Sequence, residues 1–291
     1  MSTRTLSDAQ LCSFERDGFV VMPDFVDSAA CIGLRERAMA LAVELTPSAD
    51  EATVFTADGS SQHAQDQFFL ESGDKIRCFF EKDAFDEHGR LRDKAHLSLN
   101  KLGHAMHDLD PVFRRFSHND RLAGVAADLG LGDPRLLQSM YIFKQPHIGG
   151  EVTCHTDHTF LWTEPQSVIG FWFAIDDATV ENGCMWALPG GHRLPVRSRF
   201  RRVGPDAPTT TTDVYDANPY PSEGIVPIEA KRGTLVVLHG TLPHLSGPNR
   251  SDVPRHAYTV HAIDGAARYP RDNWLLRSAA LPLAGFEVAP T

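Results

Sequence analysis

The sequence lacks four features, each of which would place it in a specialised class of protein. Its five cysteines include no Cys-x-x-Cys pair and are odd in number, which argues against a disulfide framework or a cysteine zinc site. The most apolar run, Val168 to Ile175, is far shorter than the roughly 20 residues of a membrane-spanning helix. The first residues have no apolar core typical of a secretory signal. Basic residues are in deficit, and a net charge of −10 argues against a general nucleic-acid binder. We therefore expect a cytoplasmic protein that binds neither nucleic acid nor a membrane.

The first part of the chain has mostly helical patterns. Ser7 and Gln10 form a capping box at the start of the first helix, and Gly18 is placed to end it. Apolar residues at helical spacing follow. Further helices are predicted over residues 28–45, 93–108 and 111–129.

Beyond about residue 133 the pattern changes to short β-strands. Runs of apolar and β-branched residues are bounded by Gly, Pro and Asn, and the Asn182-Gly183 pair predicts a hairpin turn between two of them. Many short strands without intervening helices are typical of a sandwich or a closed barrel. We therefore predict a mainly β fold with flanking helices. Its predicted parts are a helical support at 1–132, a barrel core at 133–265, an insertion at 192–224 and a C-terminal tail at 266–291, all within one domain.

One predicted strand, EVTCHTDHTF at 151–160, contains a histidine and an aspartate two positions apart. Residues i and i+2 of a strand point to the same face, so His155 and Asp157 can bind one ion together. A second His-x-Asp pair, His118 and Asp120, lies at a helix boundary, where Asn119 or Asp120 is better suited to cap the helix. A further histidine would complete the two-His, one-carboxylate set of non-haem Fe(II) enzymes, which leaves positions open for a co-substrate and O₂.

Two downstream histidines compete for the third position, His239 and His244. Arg250 and Arg255 lie eleven residues beyond them, respectively. Arg250 is in a turn-rich loop, whereas Arg255 opens the predicted strand RHAYTVHAI, where a guanidinium can match a carboxylate with two parallel hydrogen bonds. We therefore choose His244 with Arg255 and interpret His239 as a packing residue or a support for the site.

Three other histidines flank these positions. His158 and His256 are predicted to face away from the site by strand alternation, and we interpret both as structural. His261 shares the face of Arg255, and we interpret it as a core histidine rather than a ligand.

These residues resemble the motifs of the phytanoyl-CoA dioxygenase family of Fe(II)/2-oxoglutarate oxygenases. Similar segments extend over nearly the whole chain, among them SGDKIRCFFEKDAFDEHG, QSMYIFKQPHIGGEV and DATVENGCMWALPGGH. The resemblance implies a double-stranded β-helix, or jelly roll, with iron at its open end. It also implies an enzyme that converts 2-oxoglutarate and O₂ to succinate and CO₂, with ascorbate as an additive in assays, and hydroxylates a small organic or acyl-CoA-like substrate.

The resemblance also implies roles for individual residues. His155, Asp157 and His244 would hold iron, Arg255 would bind the distal carboxylate of 2-oxoglutarate with Ser246 nearby, and Met140 and Trp172 would line the co-substrate pocket. Relatives often carry a lysine where this chain has Leu97, and Lys94 or Lys101 is a candidate to replace it. Trp172 is equally compatible with a plain core role.

Two alternatives to this function stay open. A cupin-like isomerase or hydrolase uses the same three ligands and has no need of Arg255, and a non-catalytic ligand-binding barrel would form no succinate.

The cluster of arginines in HRLPVRSRFRR is either a rim that binds an anionic or CoA-linked substrate or a solvated loop paired with surface acids. Its members are Arg193, Arg197, Arg199, Arg201 and Arg202. The sequence indicates neither the oligomeric state nor the identity of the substrate.

Overall fold

The structure, a computed structural model, describes residues 4–45, 53–54, 67–88 and 90–287. Its strands are β1 Phe19–Met22, β2 Thr53–Val54, β3 Ile76–Phe80, β4 Leu99–His104, β5 Pro134–Ile142, β6 Val152–His155, β7 Ile169–Ala174, β8 Met185–Ala187, β9 Ser198–Arg202, β10 Thr210–Val214, β11 Val226–Ile228, β12 Leu235–His239, β13 His244–Ser246 and β14 Ala257–Asp264. Its α-helices are α1 Asp8–Asp17, α2 Ser28–Leu45, α3 Gln67–Leu70, α4 Met106–Leu109, α5 Pro111–Ser117, α6 Asp120–Asp128 and α7 Asp157–Phe160.

The larger of two main sheets separates a helix-covered core from the candidate site. Its eight strands run β1-β12-β7-β14-β5-β4-β3-β2, antiparallel except for β2 and β3. Because side chains alternate along a strand, Phe171 and Phe173 of β7 pack beneath the helices, and Trp172 and Ala174 face the smaller sheet. Burying a side chain the size of Phe contributes about 1.5–3 kcal/mol, so both layers help to hold the sheet in place.

The smaller sheet supplies the opposite wall. Its antiparallel order is β11-β8-β13-β6, with β6 at one edge. Met185 and Ala187 of β8 and Ile228 of β11 pack against Trp172 of the larger sheet. Mainly antiparallel β structure with added helices confirms the predicted mainly β fold with flanking helices.

Helices cover the outer face of the larger sheet. The capping box of Ser7 and Gln10 is formed at α1, and Gly18 ends this helix in the left-handed conformation that glycine adopts without strain. Leu34 of α2 and Phe113 of α5 are buried in the same core as Phe171. Within the described ranges, no helix has both the length and the apolar character needed to cross a membrane.

Several predicted elements differ from the structure. The helix predicted over 93–108 is wrong: residues 99–104 of it form strand β4, which pairs with β3 and β5. The helix over 111–129 is two helices, with Asn119 capping the second through a hydrogen bond from Leu122 N. Asn182-Gly183 is a turn but not a hairpin, since the flanking strands β7 and β8 belong to different sheets. The segment predicted as a helical support also contributes β1 to β4 to the larger sheet.

Candidate metal and co-substrate site

A cavity of about 200 Å³ lies between the two sheets. Strands β4, β5, β7 and β14 of the larger sheet and β6, β8 and β13 of the smaller sheet contribute its lining. The structure brings all of the site residues predicted from the sequence to this cavity, namely His155, Asp157, His244, Arg255, Met140, Trp172 and Ser246.

His155 and His244 lie directly opposite each other on neighbouring strands. His155 ends β6, His244 begins β13, and the ring centroids are 4.3 Å apart. His155 Nδ1 bonds the carbonyl of Thr153 at 2.8 Å, and His244 Nδ1 bonds that of Leu242 at 3.0 Å. A carbonyl only accepts, so each Nδ1 carries the hydrogen, and each Nε2 has a lone pair available for a metal.

Asp157 reaches the same point from the first residue of a helix. The predicted strand through it is wrong, since β6 ends at His155 and α7 begins at Asp157, but Thr156 between them is extended. Asp157 Oδ1 is therefore 4.0 Å from His155 Nε2 and 3.8 Å from His244 Nε2. The potential ligand atoms of the three residues lie within 4.8 Å of one another. This arrangement is suited to a small cation bound on one side and open on the other.

The protonation states favour a metal at this point. Burial, together with the neighbouring His244, lowers the pKa of His155 to about 4, so the ring is neutral at neutral pH. Burial alone would raise the pKa of Asp157, but the facing imidazoles of His261 and His244 outweigh burial and lower it below the ordinary value. A neutral imidazole and an ionised carboxylate are the forms that bind metal ions.

His261 is a neighbour of the site that the sequence reasoning placed in the core. Its Nε2 is 3.3 Å from Asp157 Oδ2. Gly170 pairs with His261 across β7 and β14, and a Cβ on this glycine would lie 3.0 Å from Asp157 Oδ2. The glycine thus leaves the space that the carboxylate needs. The sequence indicates this location only through strand alternation, which places His261 on the same face as Arg255.

Arg255 provides a buried cation in the cavity. It lies just before β14, which begins at Ala257, two residues later than the predicted strand start, and is 3% exposed. Its Nε donates to the carbonyl of Gly183 at 3.1 Å, and its Nη1 has no hydrogen-bond partner among the described residues. Burial lowers the pKa of Arg255 to about 10, which still leaves it charged at neutral pH. A buried, incompletely paired guanidinium is suited to a carboxylate.

Lys144 adds a second cation that sequence reasoning missed. It lies two residues beyond the end of β5, and its Nζ donates to Ser246 Oγ at 3.0 Å and to the carbonyl of Gly150 at 2.8 Å. Burial, with the neighbouring Arg255, lowers the pKa of Lys144 to about 7. Ser246, Lys144 and Arg255 all line the cavity, so an anion there would meet the guanidinium of Arg255 and, in its protonated form, the amine of Lys144.

The two lysines named as replacements at the Leu97 position differ in their location. Lys94 and Leu97 are exposed, whereas Lys101 is 5% exposed and lines the cavity. Its Nζ lies 3.5 Å from Met140 Sδ, and burial lowers its pKa to about 7. Of the two candidates, only Lys101 is placed to contact a molecule in the cavity.

The histidines interpreted as structural lie outside this cavity. His158 stacks on Trp162, and His256 Nδ1 bonds the hydroxyl of Tyr141 at 2.8 Å. His239 bonds Thr241 Oγ1 at 2.8 Å. His118 is buried near His107 and Asp108.

Each member of the arginine cluster has partners within the protein. Arg197, Arg199 and Arg201 pair with aspartates, and Arg193 and Arg202 bond backbone carbonyls. Arg199, Arg201 and Arg202 belong to β9, which forms a two-stranded sheet with β10. These contacts favour the interpretation of paired charges over that of an anion-binding rim.

The amino-acid sequence matches a known family model over most of its length. The model described as Phytanoyl-CoA dioxygenase (PhyH) matches residues 14–257. The chain is 41% identical over 282 residues to phytanoyl-CoA dioxygenase domain-containing protein 1 of Mus musculus, covering 95% of this chain and 97% of that protein. It is 38% identical over 281 residues to the phytanoyl-CoA dioxygenase of Arabidopsis thaliana, covering 95% of each.

Solved structures share the fold at lower sequence identity. The non-heme alpha ketoglutarate dependent carbocyclase SnoK from nogalamycin biosynthesis superposes with a TM-score of 0.64 at 21% identity, covering 97% of this chain and 98% of that one. The apoform of EctD from S. alaskensis superposes with a TM-score of 0.65 at 20% identity, covering 97% and 85%.

Proposed function

The chain belongs to the phytanoyl-CoA dioxygenase family, and on that premise we propose that it uses the cavity between its sheets to hydroxylate a small organic substrate, with an acyl-CoA-like molecule as one candidate. Family membership confirms the predicted class, an Fe(II)/2-oxoglutarate-dependent oxygenase, and with it the predicted cofactors. The observation that carries the proposal is the convergence of His155, Asp157 and His244 within 4.8 Å.

The residues present fit a ferrous ion. Two Nε2 atoms and one carboxylate face a common point, and both imidazoles are held in the metal-binding tautomer by backbone carbonyls. Asp157 Oδ1 points toward both Nε2 atoms, and Asp157 Oδ2 is the oxygen that faces His261. We propose His155, Asp157 and His244 as the iron ligands.

The residues present also fit 2-oxoglutarate. A dicarboxylate needs a cation for its far end, and Arg255 offers an Nη1 that no described residue occupies. Lys144 and Ser246 lie beside it, and Met140 and Trp172 line the same cavity. We propose that Arg255 binds the distal carboxylate and that Ser246, Met140 and Trp172 contact the co-substrate.

The protein contributes orientation and a dry environment to this reaction. Iron bound by the three ligands supplies the redox chemistry that couples decarboxylation of 2-oxoglutarate, with O₂, to oxidation of a substrate C–H bond. His261 holds Asp157 in the orientation in which its Oδ1 faces the two imidazoles. Trp172 and Leu238 are buried apolar residues of the cavity wall, and this apolar lining strengthens the charge interactions of Arg255.

The test compares His244 with His239, the two candidates for the third metal ligand. The purified full chain is incubated with Fe(II), ascorbate and 2-oxoglutarate, and succinate is measured. His244→Ala should abolish succinate formation and weaken Mn(II) binding measured by calorimetry, and His239→Ala should leave both unchanged. Normal Mn(II) binding and turnover in His244→Ala would contradict the ligand assignment. Metal binding without consumption of 2-oxoglutarate would favour the isomerase or hydrolase alternative.

We further propose that the two sheets close into the jelly-roll barrel that the family resemblance implies, and that residues 1–291 form a single domain. Two features support this. Both sheets contribute to one buried cluster around Trp172 and Met185, and β1 from the N-terminal part pairs with β12 from the C-terminal part.

A further inference from the structure

One side of the cavity is an apolar wall built mainly from aromatic residues. Phe69, Leu161 and Trp274 belong to a buried cluster separate from the one around Trp172, and Phe160 packs against it. We call these four residues the aromatic wall, and all of them line the cavity. The ring of Phe160 is 5.9 Å from that of His155, so the aromatic wall adjoins the proposed iron ligands. This is where a substrate would have to lie to be oxidised at that iron.

His104 of β4 places a hydrogen-bond acceptor beside the aromatic wall. Ser72 Oγ lies 2.6 Å from the carbonyl of Phe69 and 2.7 Å from His104 Nδ1. The carbonyl only accepts, so the single hydroxyl hydrogen of Ser72 goes to it, and the hydrogen of the second bond comes from His104 Nδ1. In the neutral ring, His104 Nε2 is then a bare acceptor. It is buried and has no partner in the part of the chain that the structure describes.

Trp274 places a hydrogen-bond donor next to this acceptor. Its ring centroid is 5.2 Å from that of His104, and the ring stacks on Phe69 at 4.2 Å. An indole Nε1–H can only donate, and in Trp274 this group is buried and meets no acceptor among the described residues. Trp274 is 2% exposed, and both it and His104 line the cavity. Buried polar groups are nearly always hydrogen-bonded, so this pair indicates a missing partner.

From this pair we propose that the cavity contains a hydroxyl-binding subsite, in which His104 Nε2 accepts from a substrate hydroxyl and Trp274 Nε1 donates to the same oxygen. A hydroxyl group both donates and accepts, and therefore complements one acceptor and one donor at once. The substrate class is a neutral apolar alcohol or phenol, with its hydrocarbon part against the aromatic wall. The proposal rests on the proposed function, since it names the substrate class of the same cavity.

The charge of His104 agrees with a neutral partner. Burial, with the neighbouring Lys101, lowers the pKa of His104 well below its ordinary value, so the ring is uncharged at neutral pH. An uncharged acceptor repels a carboxylate and suits a hydroxyl hydrogen. Specificity follows from this geometry, because a site built to hydrogen-bond a hydroxyl discriminates strongly against analogues that lack it.

The test uses three probes of similar shape with the metal-free full chain. 2-Naphthol offers a donor and an acceptor, 2-methoxynaphthalene offers an acceptor only, and 2-methylnaphthalene offers neither. Dissociation constants are measured by calorimetry or equilibrium dialysis. We expect 2-naphthol to bind about tenfold more tightly than either analogue, as one or two buried hydrogen bonds would give. His104→Phe and Trp274→Phe should each reduce this preference to within about threefold, whereas Trp162→Phe should retain it.

Trp162→Phe is the control variant. Trp162 does not line the cavity, and its Nε1 already donates to Glu164 at 3.0 Å. If His104→Phe does not fold because Ser72 loses its partner, Trp274→Phe decides, since it removes only the N–H and part of the ring. Equal binding of the three probes to the unaltered chain would overturn the proposal, as would a preference that survives in Trp274→Phe. Because this readout needs neither iron nor turnover, a chain that binds 2-naphthol selectively but forms no succinate would contradict only the proposed function.

Discussion

Replacement of Arg255 with alanine is the sharpest test of the co-substrate end of the cavity. Its Nε is already bonded to Gly183, and its Nη1 is buried without a described partner, so a carboxylate would gain hydrogen bonds from a desolvated cation. Each such charged bond contributes about 1.5–3 kcal/mol, and 1.4 kcal/mol corresponds to tenfold in affinity. Lys144 stays nearby and retains part of the attraction. We therefore expect 2-oxoglutarate to bind at least about tenfold more weakly to Arg255→Ala.

The assay separates loss of binding from loss of folding. Calorimetry with the Mn(II)-loaded full chain gives the dissociation constant of 2-oxoglutarate without turnover. Without co-substrate, the free energy of unfolding of Arg255→Ala should change by no more than about 1 kcal/mol, because an incompletely paired buried charge contributes little to stability. Arg193→Ala is the control, since Arg193 is exposed and bonds the carbonyls of Glu15 and Arg16. An unchanged dissociation constant in folded Arg255→Ala would refute the assigned role.

Three further predictions concern the metal ligands and the buried charges. His155→Ala and Asp157→Ala should abolish iron-dependent succinate formation while circular dichroism shows a folded chain, and turnover in both variants would contradict the ligand set. His261→Phe removes the imidazole whose Nε2 lies 3.3 Å from Asp157 Oδ2, so Mn(II) affinity measured by calorimetry should fall about 10- to 100-fold, and an unaltered affinity would exclude a positioning role. The pKa of Lys144 is about 7 in the folded state against 10.5 ordinarily, so between these values the unfolded chain binds more protons and the free energy of unfolding rises with pH. In Lys144→Met this rise between pH 7 and 10.5 should be smaller in urea titrations, and an identical pH dependence would show that Lys144 is not responsible.

The sequence predicts part of the candidate site because the alternation of side chains along a strand depends only on local sequence. A continuous strand predicts that His155 and Asp157 share a face, and the extended conformation of Thr156 preserves their common direction even though a helix begins at Asp157. The position of Arg255 favours His244 as the third ligand, and both residues line the cavity. Their roles in binding remain predictions.

The parts that could not be predicted depend on contacts between distant segments. The segment of β4 has a spacing compatible with a helix, and only its pairing with β3 and β5 makes it a strand. Lys144 is a charged residue that a local pattern places at the surface, whereas the sheet geometry buries it. The contact between His261 and Asp157 depends on Gly170, whose missing side chain matters only once β7 and β14 are aligned.

The pairing of His155 with His244 across β6 and β13 ties metal capture to correct assembly of the small sheet. A shift of one residue along either strand would turn one imidazole to the opposite face, and the two imidazoles would no longer face one ion. A misaligned chain could thus be compact and still incapable of retaining iron. A bound ion would therefore favour the correct alignment of the two strands, since it stabilises the one arrangement in which both rings converge.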